Sequence, residues 1–185
     1  MSALTLYATA SPAQGATTED FADIQAKLAA IGVHFERWQA TQQFPDDADS
    51  ETVLQAYQAD VDRLKQTYGF QSVDVISLKP DRPNKEQLRQ KFLAEHTHSD
   101  FEVRFFVEGQ GLFYLHPDEK VYAVLCQQGD LISVPANTPH WFDMGANPDF
   151  KCIRLFTTAE GWLADFTGDN IASQFPLLDA YIANL

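Results

Sequence analysis

The middle of the chain, residues 73–156, consists of short apolar runs that suit β-strands. Six such runs follow one another: VDVISL, VRFFVE, GLFYLH, VYAVLC, DLISVP and KCIRLF. Turn signals separate them at Glu108-Gly109, Pro117-Asp118, Gly129-Asp130 and Ala146-Asn147-Pro148. Several short strands at close spacing are typical of a sandwich or a small barrel. The sequence therefore predicts a mainly β fold with flanking helices.

Helical patterns dominate the part of the chain that precedes these runs. Apolar residues recur at helical spacing over residues 21–31 and again over residues 53–68, where Gly69 follows as a stop signal. A third, shorter helix is predicted to begin at Asn84, with Gln87 three residues later as in a capping box. We interpret the apolar stripes as core-facing.

The length of 185 residues favours a single domain, 1–185, with three parts. We expect residues 1–69 to form a mostly helical part packed on the barrel, residues 70–160 to form the barrel core, and residues 161–185 to form a C-terminal helical tail. Hydrophobic residues make up 45% of the chain and include 14 Phe, which is enough to fill one sizeable core.

The charge of the chain excludes several classes of partner. With 13 basic and 26 acidic side chains, the net charge is −13, which argues against nucleic acid and anionic membranes as partners. The sequence holds no run of about 20 apolar residues that could span a bilayer. Two cysteines, Cys126 and Cys152, are too few for a disulfide scaffold, so we expect reduced thiols and a cytoplasmic protein.

One cluster of residues has the chemistry of a metal site. His96 and His98 are two apart, so in a strand both point to one face, and Glu102 and His140 complete a possible ligand set. Three imidazoles and one carboxylate can hold a divalent transition metal and leave two octahedral positions open. The alternative is a pair of exposed strand histidines beside an unrelated carboxylate.

Two segments of the chain resemble the paired motifs of the cupins. His96 through Gly109 is similar to the first motif, which reads His-x-His, three residues, Glu, six residues, Gly. The segment GDLISVPANTPH, which ends at His140, is similar to the second. The chain departs from the motifs at three positions, none of them a ligand position: Gln90, Asn137 and Met144. The resemblance implies a single cupin (jelly-roll) β-barrel.

Longer segments narrow the resemblance to one cupin family. EHTHSDFEVRFFVEGQGLFYLH, GDLISVPANTPHWFDMG, IRLF, GWLADFTG and FPLLDAY together resemble the acireductone dioxygenases of methionine salvage, from about Leu4 to Tyr181. The resemblance implies a monomer that binds one Fe(II) or Ni(II) ion through His96, His98, Glu102 and His140.

The same resemblance implies the reaction. The substrate would be the acireductone 1,2-dihydroxy-3-keto-5-methylthiopentene, which is cleaved with O2. The Fe form would yield formate and 4-methylthio-2-oxobutanoate, and the Ni form would yield formate, CO and 3-methylthiopropanoate. Both metals would use the same ligands, so the sequence does not choose between them.

Two arginines are candidates for binding the anionic substrate. Arg104 lies two residues after Glu102 and shares its face in a strand, so we predict a catalytic role; a structural ion pair is the alternative. Arg154 lies in the run IRLF, where side chains would alternate between the two faces of a strand in the same way, and it could bind substrate. A structural salt bridge explains an arginine at this position equally well.

Several neighbours of these residues are weaker candidates. Four aromatic residues could form an apolar wall around the methylthio tail, with core packing as the alternative: Phe92, Phe106, Phe142 and Trp162. Glu95 precedes the first ligand and could support the metal site from behind, although a solvated acid is also consistent with its position. Phe101 could pack so that it fixes the orientation of Glu102.

Other functions remain open at this point, because a fold does not determine a function. A cupin that binds metal without turnover, as a sensor or a receptor, would use the same ligands. So would a zinc isomerase, which would need no O2, or another cupin dioxygenase acting on thiols or flavonols.

Overall fold

The structure, a computed structural model, describes residues 1–45 and 47–185. The strands are β1 (Ala3–Ala8), β2 (Gly15–Thr18), β3 (His34–Arg37), β4 (Ser72–Leu78), β5 (His96–Thr97), β6 (Glu102–Leu115), β7 (Lys120–Gln127), β8 (Asp130–Val134), β9 (His140–Asp143), β10 (Phe150–Phe156) and β11 (Asp165–Phe166). The helices are α1 (Phe21–Ala29), α2 (Ser50–Ala56), α3 (Gln58–Tyr68), α4 (Lys85–Leu93) and α5 (Leu178–Ala183), with a 3-10 helix at Ile171–Gln174. The mainly β fold with flanking helices is thereby confirmed.

The long strand β6 belongs to two sheets. Its second half pairs with β7 and β9 in the order β11-β5-β9-β6-β7-β1-β2. Its first half pairs with β8 and β10, and these strands add β3 and β4. The path ends at β11 and β2, so hydrogen bonding among the described strands does not close into a ring.

A bend within β6 replaces the turn that the sequence predicts at Glu108-Gly109. The two runs on either side form one strand, and β10 opposite shifts its register between Lys151 and Cys152. Gly109 has φ +70°, and a Cβ there would lie 1.9 Å from the carbonyl oxygen of Asp149. Only glycine fits this bend, because it combines positive φ with a close backbone approach.

The part before residue 70 differs from its prediction. Helix α1 forms as expected, with the Asp20 side chain accepting a hydrogen bond from the Asp23 amide (2.8 Å). The second predicted helix is two helices, α2 and α3, which meet at Tyr57, and α3 ends at Gly69 with φ +73°. Strands β1, β2 and β3 are missing from the prediction, because β1 and β3 gain their order from pairing with the distant strands β7 and β8.

Helix α4 begins after Asn84 as predicted, but the capping box does not form. The Asn84 side chain makes no cap hydrogen bond and accepts one from Arg82 Nε instead (3.1 Å). The backbone of Asn84, at φ −103° and ψ 18°, lacks the extended conformation that such a cap requires. Farther along α4, Arg89 donates two hydrogen bonds to Asp143 (2.7 and 3.0 Å) and so joins the helix to β9.

Three apolar clusters lie on the faces of the two sheets. The largest fills the space between the sheets and includes Phe106, Phe113, Phe142 and Phe150. The second covers the other face of the first sheet with the C-terminal segment, where Tyr114 stacks on Trp141 at 4.9 Å. The third packs α2 and α3 on the second sheet. None of the helices in the described residues is both long enough and apolar enough to cross a membrane.

Candidate metal centre

Three buried histidines meet at the end of the interior cluster. His96 in β5 pairs directly with His140 in β9, and His98 follows β5. The ring centroids of His96 and His140 are 4.5 Å apart, and that of His98 lies 5.1 Å from His96 and 5.3 Å from His140. One ring nitrogen from each residue lies within 4.8 Å of those of the other two, a spacing that suits a shared metal ion.

Glu102, the first residue of β6, is fully buried beside these histidines. Its Oε2 lies 3.4 Å from His140 Nε2 and 3.9 Å from His98 Nε2. Among the described atoms, neither Glu102 Oε2 nor His140 Nε2 has a hydrogen-bond partner. Buried polar atoms are nearly always satisfied, and a cation between the two would satisfy both. The donor set of three imidazoles and one carboxylate therefore fits a divalent transition metal.

Backbone carbonyls fix the orientation of all three imidazoles. Each Nδ1 lies 2.7–2.8 Å from a carbonyl oxygen and donates its proton there, which leaves Nε2 with a lone pair for a metal. For His96, His98 and His140 in turn, the acceptors belong to Ala94, Leu163 and Thr138. Every residue has a backbone carbonyl, so residue types in the sequence do not predict which carbonyls accept these hydrogen bonds.

The electrostatics of the site favour neutral imidazoles and a charged carboxylate. Burial lowers the pKa of His96 to about 4, with repulsion from His140 adding to the effect. Burial also lowers the pKa of His98. Burial alone would raise the pKa of Glu102, but the Arg104 guanidinium and the neighbouring histidines hold it well below its usual range. The neutral imidazole and the ionised carboxylate are the forms of these side chains that bind metal.

Arg104 lies between the ligand carboxylate and an aromatic wall. It is 1% exposed, and its Nε donates to Glu102 Oε1 (2.9 Å). The guanidinium lies 4.8 Å from the ring centres of Phe113 and Phe142 and 5.6 Å from that of Phe92. Its Nη1 has no hydrogen-bond partner among the described atoms, so one donor of a buried cation is left for a ligand.

Arg154 is paired with Arg104 in the register of β10 and β6, but its guanidinium is already engaged. Its Nε and Nη2 donate to the two carboxylate oxygens of Asp74 (2.9 and 2.6 Å). The structure therefore gives Arg154 the salt bridge that its sequence context left open.

The predicted aromatic wall divides into three groups. Phe92 and Phe142 contact each other and Arg104. Phe106 packs deeper, against Phe113, Phe142 and Phe150. Trp162 is 52% exposed on the segment that carries Leu163. Phe113 contacts Arg104 but was not predicted, because the bend in β6 changes which residues of the strand face inward.

Glu95 is buried, and its interpretation as a solvated acid is wrong. Its Oε1 accepts a hydrogen bond from Thr167 Oγ1 (2.8 Å), and its Oε2 lies 2.7 Å from His116 Nδ1. The side chain is 4% exposed, and both of its partners lie far from it in the sequence. Phe101 points away from the site and lines a separate cavity of about 530 Å³ with Leu64 and Tyr68, among others.

Comparisons with known proteins identify relatives of this chain. The ARD/ARD' family profile matches residues 8–164. An acireductone dioxygenase of Methylococcus capsulatus is 60% identical over 182 residues, 98% of each chain. One from Aquifex aeolicus is 60% identical over 154 residues, 83% of this chain and 84% of the relative.

A solved structure is also similar. It is an acireductone dioxygenase from Bacillus anthracis with a cadmium ion in its active centre, 29% identical, and the match covers 90% of this chain and 98% of that one with a TM-score of 0.79. A profile match over most of the chain and relatives of this identity over nearly its full length lead to one conclusion: the chain belongs to the ARD/ARD' family.

Proposed function

We propose that this protein is a metal-dependent dioxygenase that cleaves an acireductone with O2. The observation that carries the proposal is the buried pair Glu102 Oε2 and His140 Nε2, which face each other at 3.4 Å without partners in a chain whose relatives are acireductone dioxygenases. The substrate is 1,2-dihydroxy-3-keto-5-methylthiopentene, and the role is in methionine salvage.

The metal is Fe(II) or Ni(II), one per chain, held by His96, His98, Glu102 and His140. Imidazole with one carboxylate suits both ions. A bound ion would supply Lewis-acid chemistry to the ene-diol substrate. The Fe form gives formate and 4-methylthio-2-oxobutanoate, and the Ni form gives formate, CO and 3-methylthiopropanoate.

Arg104 orients the substrate and favours its ionised form. Its Nε is held by Glu102, so the guanidinium plane is fixed, and the unpartnered Nη1 is the donor that a substrate oxygen can take. Charge-assisted hydrogen bonds of this kind are strong in a buried site. As the ene-diol loses its protons, the fixed cation stabilises the negative charge that O2 attacks.

Aromatic side chains around Arg104 keep water away from the reacting atoms and accept the apolar tail. Phe92, Phe113 and Phe142 contact the guanidinium through their rings. A methylthio group packs favourably against aromatic rings, since thioether sulfur is polarizable.

The proposal extends to the state of the protein in the cell. We infer a single cupin domain over residues 1–185 that acts as a monomer in the cytoplasm. The two free, buried cysteines favour a reducing compartment.

The test is O2 uptake with a synthetic acireductone by metal-free, Fe(II)-, Ni(II)- and Zn(II)-loaded protein. We expect uptake above autoxidation with Fe(II) and Ni(II), and CO only from the nickel sample. His98→Ala, which removes one ligand, should lose metal and uptake together. Uptake that is no faster than autoxidation in any sample would overturn the dioxygenase in favour of a metal-binding cupin without turnover. Activity with Zn(II) and without O2 would indicate an isomerase.

A further inference from the structure

The segment 161–168, here called the strap, runs beside the metal centre, because its strand β11 pairs with β5, which carries His96. Three apolar side chains of the strap are more than half exposed: Trp162, Leu163 and Phe166. Its strand β11 nevertheless pairs with β5, and the Phe166 ring lies 5.8 Å from the His96 ring. The largest side chains of the strap are therefore not buried in the core, and hydrogen bonds hold the strap in place.

The strap supplies one of the three carbonyls that orient the ligands. His96 and His140 each donate to the carbonyl two residues before them, so their acceptors are local. His98 donates instead to Leu163, 65 residues later (2.7 Å). The tautomer and ring orientation of His98 consequently depend on the strap staying in place, which is not true of the other two histidines.

Glu95 holds the far end of the strap. Its carbonyl oxygen accepts the Thr167 amide (3.1 Å), and its Oε1 accepts the Thr167 hydroxyl (2.8 Å). Its other carboxylate oxygen is 2.7 Å from His116 Nδ1, so both oxygens are engaged and the side chain is fixed. Glu95, which precedes the ligand His96, thus fixes the strap, and the strap in turn orients the ligand His98.

We propose that Glu95 is a positioning residue, which acts through Thr167 and the strap to hold the Leu163 carbonyl against His98. Glu95 itself contacts none of the four proposed ligands through its carboxylate. The inference rests on the proposed metal centre, because the orientation of His98 matters to function only if His98 binds a metal.

The most direct variant is Thr167→Val, which keeps the shape of the side chain and removes its hydroxyl. The hydroxyl donates to Glu95 Oε1 (2.8 Å) and accepts the Asp169 amide (3.2 Å), so the Glu95 variants below separate the first bond from the second. A hydrogen bond of ordinary net strength changes an equilibrium about fivefold. We therefore expect the strap to open about fivefold more often, and the Nδ1–H proton of His98 to exchange with water about fivefold faster. Thr167→Ser, which retains the hydroxyl, should restore the wild-type exchange rate.

The measurement is NMR of ¹⁵N-histidine-labelled, Zn(II)-loaded protein, with Zn(II) release to a chelator as the second readout. Thr9→Val is the matched control, because Thr9 Oγ1 donates to the exposed Glu119 carbonyl (3.2 Å) and not to Glu95. We expect Thr167→Val to speed exchange at His98 but not at His96 or His140, and to release Zn(II) about fivefold faster.

A second pair of variants tests Glu95 directly. Glu95→Gln keeps an oxygen for Thr167 and should change His98 exchange less than Glu95→Ala. Equal exchange in Glu95→Ala and wild type, with both folded, would overturn the proposal, as would faster exchange at all three histidines together. Wild-type protein that binds no Zn(II) would instead refute the metal centre, while exchange in the metal-free protein would still report whether Glu95 holds the strap.

Discussion

Arg104→Lys keeps the positive charge at the metal centre but removes the planar guanidinium. A lysine has a single nitrogen, so it cannot bond Glu102 as Nε does at 2.9 Å and also present a donor where Nη1 now lies. Removing one fixed donor from an anion-stabilising site typically lowers turnover by roughly 10²- to 10³-fold. We expect that loss in kcat/KM, with one metal ion still bound per chain.

The control variant is a substitution of Arg154, which lies opposite Arg104 in the pairing of β6 and β10. The Nε and Nη2 of Arg154 donate to the carboxylate of Asp74. Arg154→Lys should therefore change kcat/KM by less than about twofold. The assay is O2 uptake at varied acireductone, with the metal content of each variant measured in parallel. Wild-type kcat/KM in metal-replete Arg104→Lys, or equal losses in the two variants, would refute the reasoning.

Three further predictions concern stability and reactivity. Metal present at 100 times its Kd should stabilise the native state by about 2.7 kcal/mol, so chelation should lower the Tm by roughly 5–10 °C in a thermal melt. Burial raises the pKa of Cys126 and Cys152 above the usual thiol range, so neither should react with a thiol reagent at pH 8 until the protein is unfolded. Asp143→Asn leaves the Arg89 cation without its buried carboxylate and should cost about 3–5 kcal/mol in urea unfolding; a cost below 1 kcal/mol would show that the pair is not needed.

Local patterns in the sequence predicted much of this structure. Short apolar runs predicted most strands from residue 72 onward, and the helical stripes and Gly69 predicted α1 and the end of α3. The spacing of His96, His98 and Glu102 predicted three of the residues that meet in the structure, but not the way in which they meet. Strand β5 ends at Thr97 and Glu102 begins β6, so the three residues do not share the face of one strand.

Features that depend on distant partners were missed. The carbonyl of Leu163 and the hydroxyl of Thr167 reach the site from 65 and 72 residues away, and no local pattern marks either of them. Strand β1 was missed for the same reason, since its order comes from pairing with β7. Glu95 looked solvated because its partner His116 lies in another part of the sequence.

The bend at Gly109 brings two halves of one strand to the same small space. Arg104 and Phe113 are nine residues apart, and in a straight strand they would be separated by about 30 Å. In this protein the guanidinium lies 4.8 Å from the Phe113 ring. The backbone bend therefore sets the distance from the Glu102 carboxylate to the aromatic rings around Arg104. A change in the angle of this bend would change the space for a substrate tail, although the side chains that line the space would stay the same.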